Sequence, residues 1–211
     1  SLFPGTTAVY ESDSELAEHT DWNKRALKGK YLDYSTDGMA ICAAKTSHEG
    51  NDMTVSCFAT DNSAVILGTG MTNTEGKTMM TTIEQCRYAG AYQSDGRNIT
   101  HAGIKYSILQ GGNVNVYIEN RKGTYQRNNK TANSTAYSGE VFFTTMDYSG
   151  SFAYSVMAER TDDSYTVIEN NEKIQAVRLP NGKIAAVFFK PGSFSFEGKR
   201  YTSLFARAVI F

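Results

Sequence analysis

Residues 55–87 read VSCFATDNSAVILGTGMTNTEGKTMMTTIEQCR, and their pattern decides the fold class. Two short β-type runs, VSCFAT and SAVILGTG, meet at Asp61-Asn62, a pair suited to the positive φ angles of a tight hairpin turn. After Gly68 and Gly70 a polar connection, Thr72–Lys77, leads to a third run, Met79–Cys86. The expectation is a three-stranded antiparallel meander.

The same texture extends over most of the chain. From Tyr31 onward, alternating or short apolar runs are separated by Gly, Asn, Asp and Ser clusters. Candidate strands are 39–45, 53–60, 64–70, 79–86, 104–108, 114–120, 138–148, 152–158, 165–170, 174–179, 184–189 and 203–211. About a dozen strands, no long helix and only three prolines predict an all-β fold, a large antiparallel β-sandwich. Leu179-Pro180-Asn181-Gly182-Lys183 reads as a turn between two strands, and Lys190-Pro191-Gly192 closes the next. Residues 1–30 form a polar, irregular lead-in with room for a short helix around Glu15–His19, and 31–211 read as the sandwich domain. The asparagine-rich stretch 122–137 reads as a surface loop, and no fixed-period repeat signals a propeller or solenoid.

At 211 residues with 40% hydrophobic content, the chain can bury a substantial core. Lys+Arg at 21 against Asp+Glu at 22 gives a formal charge of -1. No global field therefore favours nucleic acid or an anionic membrane. No apolar run approaches the roughly 20 residues of a membrane-spanning helix, and the first residues lack a signal-peptide layout. Either an export signal has been removed or this is a piece of a longer protein, and the apolar ending Ala208–Phe211 fits a chain that continues or a last strand tied into a sheet.

Three cysteines cannot all pair within one chain, and none has zinc-type spacing. If 39–45 pairs with 53–59 about a turn near Glu49-Gly50, Cys42 and Cys57 fall opposite each other. Free thiols and a cross-strand disulfide both fit that register.

Catalytic signatures are scarce. There is no nucleophile elbow, HExxH, phosphate loop or dinucleotide fingerprint, so no cofactor and no metal are expected. His19, His48 and His101 read as solvated loop residues, with His101 set apart because it precedes a strand amid aromatics. Glu84, Glu119 and Glu140 lie on strands, where they can point to solvent or form a glycosidase-type pair. The aromatic content, 13 Tyr and 11 Phe, is more informative. Tyr88, Tyr92, Tyr125 and Tyr137 at strand ends can pack sugars. Arg87, Arg97, Arg121 and Arg127 can meet carboxylate or sulfate groups. Trp22, the single tryptophan, is either an anchor against the sheet or a sugar-stacking face. Trp22, Arg87, His101 and Tyr125 are the four residues expected to contact carbohydrate.

Several segments, in order, resemble one family. They are Pro4-Gly5-Thr6-Thr7, Asp37-Gly38 with Ala43-Ala44, Ser56–Asn62, Leu67–Gly70, Thr81–Gln85, His101–Tyr106, Asn120–Tyr125, Ser138–Phe142 and Phe152–Val156. Together they are similar to the central β-domain of polysaccharide lyase family 8, the chondroitin, hyaluronan and xanthan lyases. The chain departs from the family pattern at Val55, Cys57, Met80 and Gly123-Thr124-Tyr125. The resemblance implies a supersandwich of the galactose-mutarotase type that follows an α/α-toroid domain. It also implies β-elimination at a uronic acid, with an Asn, a His or Tyr base and a Tyr acid supplied by the helical domain. No matching helical segment lies in these residues, so no catalytic residue is assigned here. The implied partners are a polysaccharide and the toroid domain of the same protein, and the implied location is secreted or periplasmic. Two other readings stand beside this one: a freestanding carbohydrate-binding module, and an independent hydrolase or lyase with its site on the sheet.

Overall fold

A computed structural model describes residues 4–9, 28–48, 51–73, 76–127 and 131–211. Eighteen strands lie among them: β1 (Thr7–Val9), β2 (Lys28–Thr36), β3 (Met39–His48), β4 (Asn51–Thr60), β5 (Ser63–Thr69), β6 (Met79–Arg87), β7 (Tyr92–Ser94), β8 (Asn98–His101), β9 (Ile104–Gln110), β10 (Val114–Gly123), β11 (Tyr137–Asp147), β12 (Ser151–Ala158), β13 (Thr166–Asn170), β14 (Ile174–Arg178), β15 (Ile184–Phe188), β16 (Gly192–Phe196), β17 (Lys199–Ser203) and β18 (Arg207–Ile210). A 3-10 turn, Tyr125–Arg127, follows β10. The expected helix near Glu15–His19, Trp22 and the Glu49-Gly50 turn lie outside the described residues.

The strands form an antiparallel all-β sandwich. A central sheet runs β2-β3-β4-β5-β12-β9-β8-β7, an outer sheet β1-β6-β11-β10 and a C-terminal sheet β13-β14-β15-β18, with β16-β17 as a separate hairpin. Alternation along the central strands dictates the layering, because successive side chains point to opposite faces. Ile41, Phe58, Val65, Leu67 and Ala153 join Val177, Ala185 and Val187 of the C-terminal sheet in one core. Residues of the other parity, among them Val55, Ile66, Phe152 and Tyr154, join Phe142 and Met146 of the outer sheet in a second. The central sheet is thus the middle layer. Strands β14 and β15 are apolar at nearly every position because their far face packs on Phe194 of the terminal hairpin, and strands covered on both faces lose the alternating pattern.

Two expectations need correction. The meander is broken: β5 pairs with β4 and β12, whereas β6 pairs with β1 and β11 in the outer sheet. The polar connection after Gly70, which has φ +64, carries the chain from one layer to the next. The Asp61-Asn62 hairpin is present, yet neither residue has positive φ among the described residues. Thr60 and Ser63 brace it instead, their hydroxyl oxygens 3.1 Å apart. The Leu179–Lys183 turn forms as expected, with Leu179 N–H donating to Lys183 O at 2.8 Å.

One irregularity aims a functional group. Between β6 and β11 the register passes from Thr144↔Glu84 to Thr145↔Thr82, leaving Ile83 without a partner. A bulge of this kind re-aims the side chains around it. Ile83 enters the core, and the next residue, Glu84, also reaches the central sheet, where the Tyr106 hydroxyl donates to its Oε2.

Candidate functional site

The expected sugar-contacting residues divide between the two faces of the outer sheet. At the end of that sheet, Val141 stands opposite both Glu119 and Arg87, Gly139 opposite Arg121, and Tyr137 opposite Gly123. Directly paired residues share a face, so these seven positions line one surface. It is the surface turned away from the central sheet, since the intervening Phe142 lies in the core between the two.

Two glycines form the floor of this surface. A Cβ placed at Gly123 or Gly139 would meet no atom within 4 Å, so backbone is open above both. At one end stand Tyr125 and Tyr137, exposed, with ring centroids 5.5 Å apart and planes at 68°. The 3-10 turn places Tyr125 there by bending the chain directly after β10. At the side, Arg121 pairs with Glu119 at 2.9 Å and lies 5.2 Å from the Phe143 ring centre, with Tyr117 stacked on the same ring. Exposed Arg87 stands opposite Val141, which lies four residues along β11 from Tyr137, about 13 Å at strand rise. Flat aromatic faces, open backbone and guanidinium groups suit a ring-shaped, anionic ligand, which stacks its C–H face and ion-pairs its acidic groups.

His101, on β8 of the central sheet, packs against the other face of the outer sheet and is 3% exposed. It is neither a solvated loop residue nor open to a sugar. Its ring stacks on Phe142 at 4.0 Å and on Tyr88 at 5.7 Å. Nε2 accepts the Ala89 N–H at 3.3 Å, so the neutral ring carries its proton on Nδ1, which faces Cys86 Sγ at 3.5 Å. That tautomer donates toward the thiol and cannot take a proton from it. Burial, and then the Glu84 charge, push the Cys86 thiol up. This pair is a packing element rather than a nucleophile and base.

The carboxylates also separate. Glu84 faces the central sheet and Glu119 lies on the opposite face of the outer sheet, while Glu140 shares the face of Glu84 but stands four residues along β11 from its cross-strand neighbour Thr144, about 13 Å at strand rise and beyond the reach of a glycosidase-type pair. Burial first, then the Glu84 bond, raise Tyr106 above the ordinary phenol range, and burial raises Tyr154 likewise. Neither exchanges a proton readily at neutral pH. Among the described residues, no group of three or more His, Cys, Asp or Glu is placed to hold a metal ion.

Arg87 and Tyr125 are therefore brought to one surface, and His101 is not. Trp22 and the Arg127 side chain lie outside the described residues. What sequence reading missed is the glycine floor. Its signal was present as Gly123 and Gly139, but only the β10–β11 register makes them neighbours.

Comparison with known proteins gives the lineage. The chain matches the polysaccharide lyase family 8 super-sandwich domain over residues 1–167 and the C-terminal β-sandwich domain of the same family over 166–210. No curated protein matches by sequence. Among solved structures it resembles a chondroitinase AC lyase (TM-score 0.76, 19% identity), covering 86% of this chain and 31% of that one. It also resembles Streptomyces coelicolor A3 chondroitin AC lyase (0.73, 22%; 90% and 29%) and a Paenibacillus xanthan lyase (0.73, 18%; 99% and 24%). The chain spans about a quarter to a third of these relatives, and the likeness in structure is one of fold. The match to consecutive models along nearly its whole length establishes that this chain belongs to polysaccharide lyase family 8, as its super-sandwich and C-terminal β-sandwich.

Proposed function

We propose that this chain is the β-sandwich portion of a polysaccharide lyase that cleaves uronic-acid-containing polymers by β-elimination. It serves as scaffold and as one wall of the cleft, while a helical α/α-toroid domain of the same protein supplies the reacting groups. The observation that carries this reading is the family match, in order, across residues 1–210.

The chemistry needs a group that neutralises the uronate carboxylate, a base for the C5 proton and an acid for the leaving oxygen. His101, the histidine whose side chain is described, is buried with its Nε2 occupied, and Tyr106 and Tyr154 are buried and pushed away from ionisation. The exposed Arg87, Tyr125 and Tyr137 fit contact with the chain of sugars rather than proton transfer. Since such polymers lie outside the cytoplasm, the protein acts after secretion or in the periplasm.

The test compares the isolated chain with the full-length protein on chondroitin, hyaluronan and xanthan, following ultraviolet absorbance of the unsaturated uronate. The full-length protein turns over at least one of them, and the isolated chain none. Turnover by the isolated chain would sink the scaffold reading. Tyr125→Ala with Tyr137→Ala in the full-length protein is expected to raise KM about tenfold, the effect of losing one to two aromatic contacts, with kcat unchanged. A loss confined to kcat would instead place this surface at the reacting bond.

A further inference from the structure

Strands β3 and β4 form a hairpin inside the central sheet, and in its register Cys42 stands directly opposite Cys57. The ladder on either side, Asp33 opposite Cys42 and Ile66 opposite Cys57, holds both residues in place. Directly opposed residues share a face, with Cβ atoms about 4.5–5.5 Å apart. A disulfide requires Cα atoms roughly 4.4–6.8 Å apart and Cβ atoms about 3.5–4.5 Å apart. The pair therefore needs only a small closing movement. Both thiols are free, Cys42 exposed and Cys57 half-buried. Asp33 beside Cys42 is also exposed, so this side of the hairpin is open to solvent. The third cysteine, Cys86, sits on the outer sheet against His101 and takes no part.

We propose that Cys42 and Cys57 form a cross-strand dithiol site that small-molecule disulfides of the glutathione type oxidise to an intrachain disulfide. The exposed sulfur reacts first. The Cys42 thiolate attacks one sulfur of glutathione disulfide, the S–S bond breaks, and one glutathione leaves as thiolate and takes a proton. Cys57 then loses its proton and attacks the Cys42 sulfur of the mixed disulfide, releasing the second glutathione. Two protein thiols are oxidised, and one glutathione disulfide is reduced to two thiols. Burial, and next the charge of Cys42, push the Cys57 thiol up to about 11, so the second step is the slow one. It accelerates about tenfold per pH unit between neutral and pH 9, following the thiolate fraction.

The experiment incubates the full-length protein with glutathione disulfide, blocks remaining thiols, digests with trypsin and maps the products by mass. The expected result is peptide 31–45 joined to peptide 46–77, lighter than their sum by two hydrogens. A transient glutathione adduct at Cys42 should decay faster as the pH is raised. Cys57→Ser should stop at that adduct, and Cys42→Ser should leave Cys57 unmodified. An adduct at Cys42 that persists at pH 9 in the unmutated protein would overturn the proposal. So would modification of Cys57 in Cys42→Ser at the unmutated rate, or recovery of the two peptides unlinked.

Discussion

The two faces of the central sheet are held by different chemistry. Toward the C-terminal sheet, the apolar core surrounds a closed chain of hydrogen bonds. Ser56 Oγ donates to Gln175 Oε1 at 2.7 Å, Gln175 Nε2 to Asn170 Oδ1 at 2.9 Å, and Asn170 Nδ2 to Phe152 O at 2.9 Å and Gln110 Oε1 at 3.0 Å. Gln110 Nε2 then donates to Ser151 Oγ at 2.8 Å. Toward the outer sheet lie neutral but ionisable groups, Tyr106 against Glu84, Cys86 beside His101, and Tyr154 and Cys57 nearby, whereas the core on the C-terminal side holds Tyr165, its hydroxyl 2.8 Å from Ser63 Oγ. On the outer side the Thr144 hydroxyl is buried with no partner among the described residues. A satisfied network gives stability that ignores pH but suffers from the loss of any member. A face built on ionisable groups makes stability depend on their protonation.

The largest expected effect follows from the closed network. Gln175 is fully buried and joins the two family modules at their seam, since the models meet at residues 166–167. Gln175→Leu leaves the buried Ser56 hydroxyl and the half-buried Asn170 side-chain carbonyl without these partners. At about 1–3 kcal/mol for the buried hydroxyl and about 1 kcal/mol for the half-buried carbonyl, the loss should be about 2–4 kcal/mol. Denaturant unfolding measures it, and a cost below about 1 kcal/mol would mean that the seam is wetter than the described network.

The other face should reveal itself in alkali. Cys57 has a folded pKa raised to about 11 from 9.0, so the fold prefers the neutral thiol. Stability from this group is intact below pH 9 and is lost as pH rises from 9 to 11, because the unfolded chain ionises first. Two units at 1.36 kcal/mol each set an upper limit of about 2–3 kcal/mol. Tyr106 and Tyr154, both raised, add losses of the same sign above pH 10. Unfolding free energies measured from pH 7 to 11 should fall with this slope, less steeply in Cys57→Ala and unchanged in slope in Gln175→Leu. A flat profile would remove the distinction between the faces.

How far the sequence reveals this depends on which residues one asks about. The register that opposes Cys42 and Cys57 was readable because alternation pins a strand pair wherever one face is buried. The layer change after Gly70 was not, because local apolar runs do not say which sheet a strand joins. Strands β2 and β7 escaped notice for a related reason: as edge strands with YQS wholly exposed in β7 and most of β2 exposed, they lack an apolar stripe. In the candidate site, Arg87, Tyr125 and Tyr137 were legible as residue types, and the glycine floor needed the β10–β11 register. His101 was misread because its burial is created by Phe142, which is 41 residues away in sequence, and no local pattern encodes that contact.

The smallest effect is the most pointed, because its sign reports whether the outer face is fully satisfied. Thr144 is fully buried, directly opposite Glu84, and its Oγ1 is among the buried atoms without a partner. Thr144→Val replaces the hydroxyl with a methyl group of similar size. It removes the penalty of an unpaired buried hydroxyl and should stabilise the protein by about 1 kcal/mol, read as a higher denaturant midpoint at constant m. If stability falls instead, the hydroxyl is serving Glu84 directly or through a trapped water, and the outer face is as fully satisfied as the inner one. A double-mutant cycle with Glu84→Gln separates these outcomes: independence leaves the gain intact, and coupling of about 1 kcal/mol or more assigns the hydroxyl to the carboxylate.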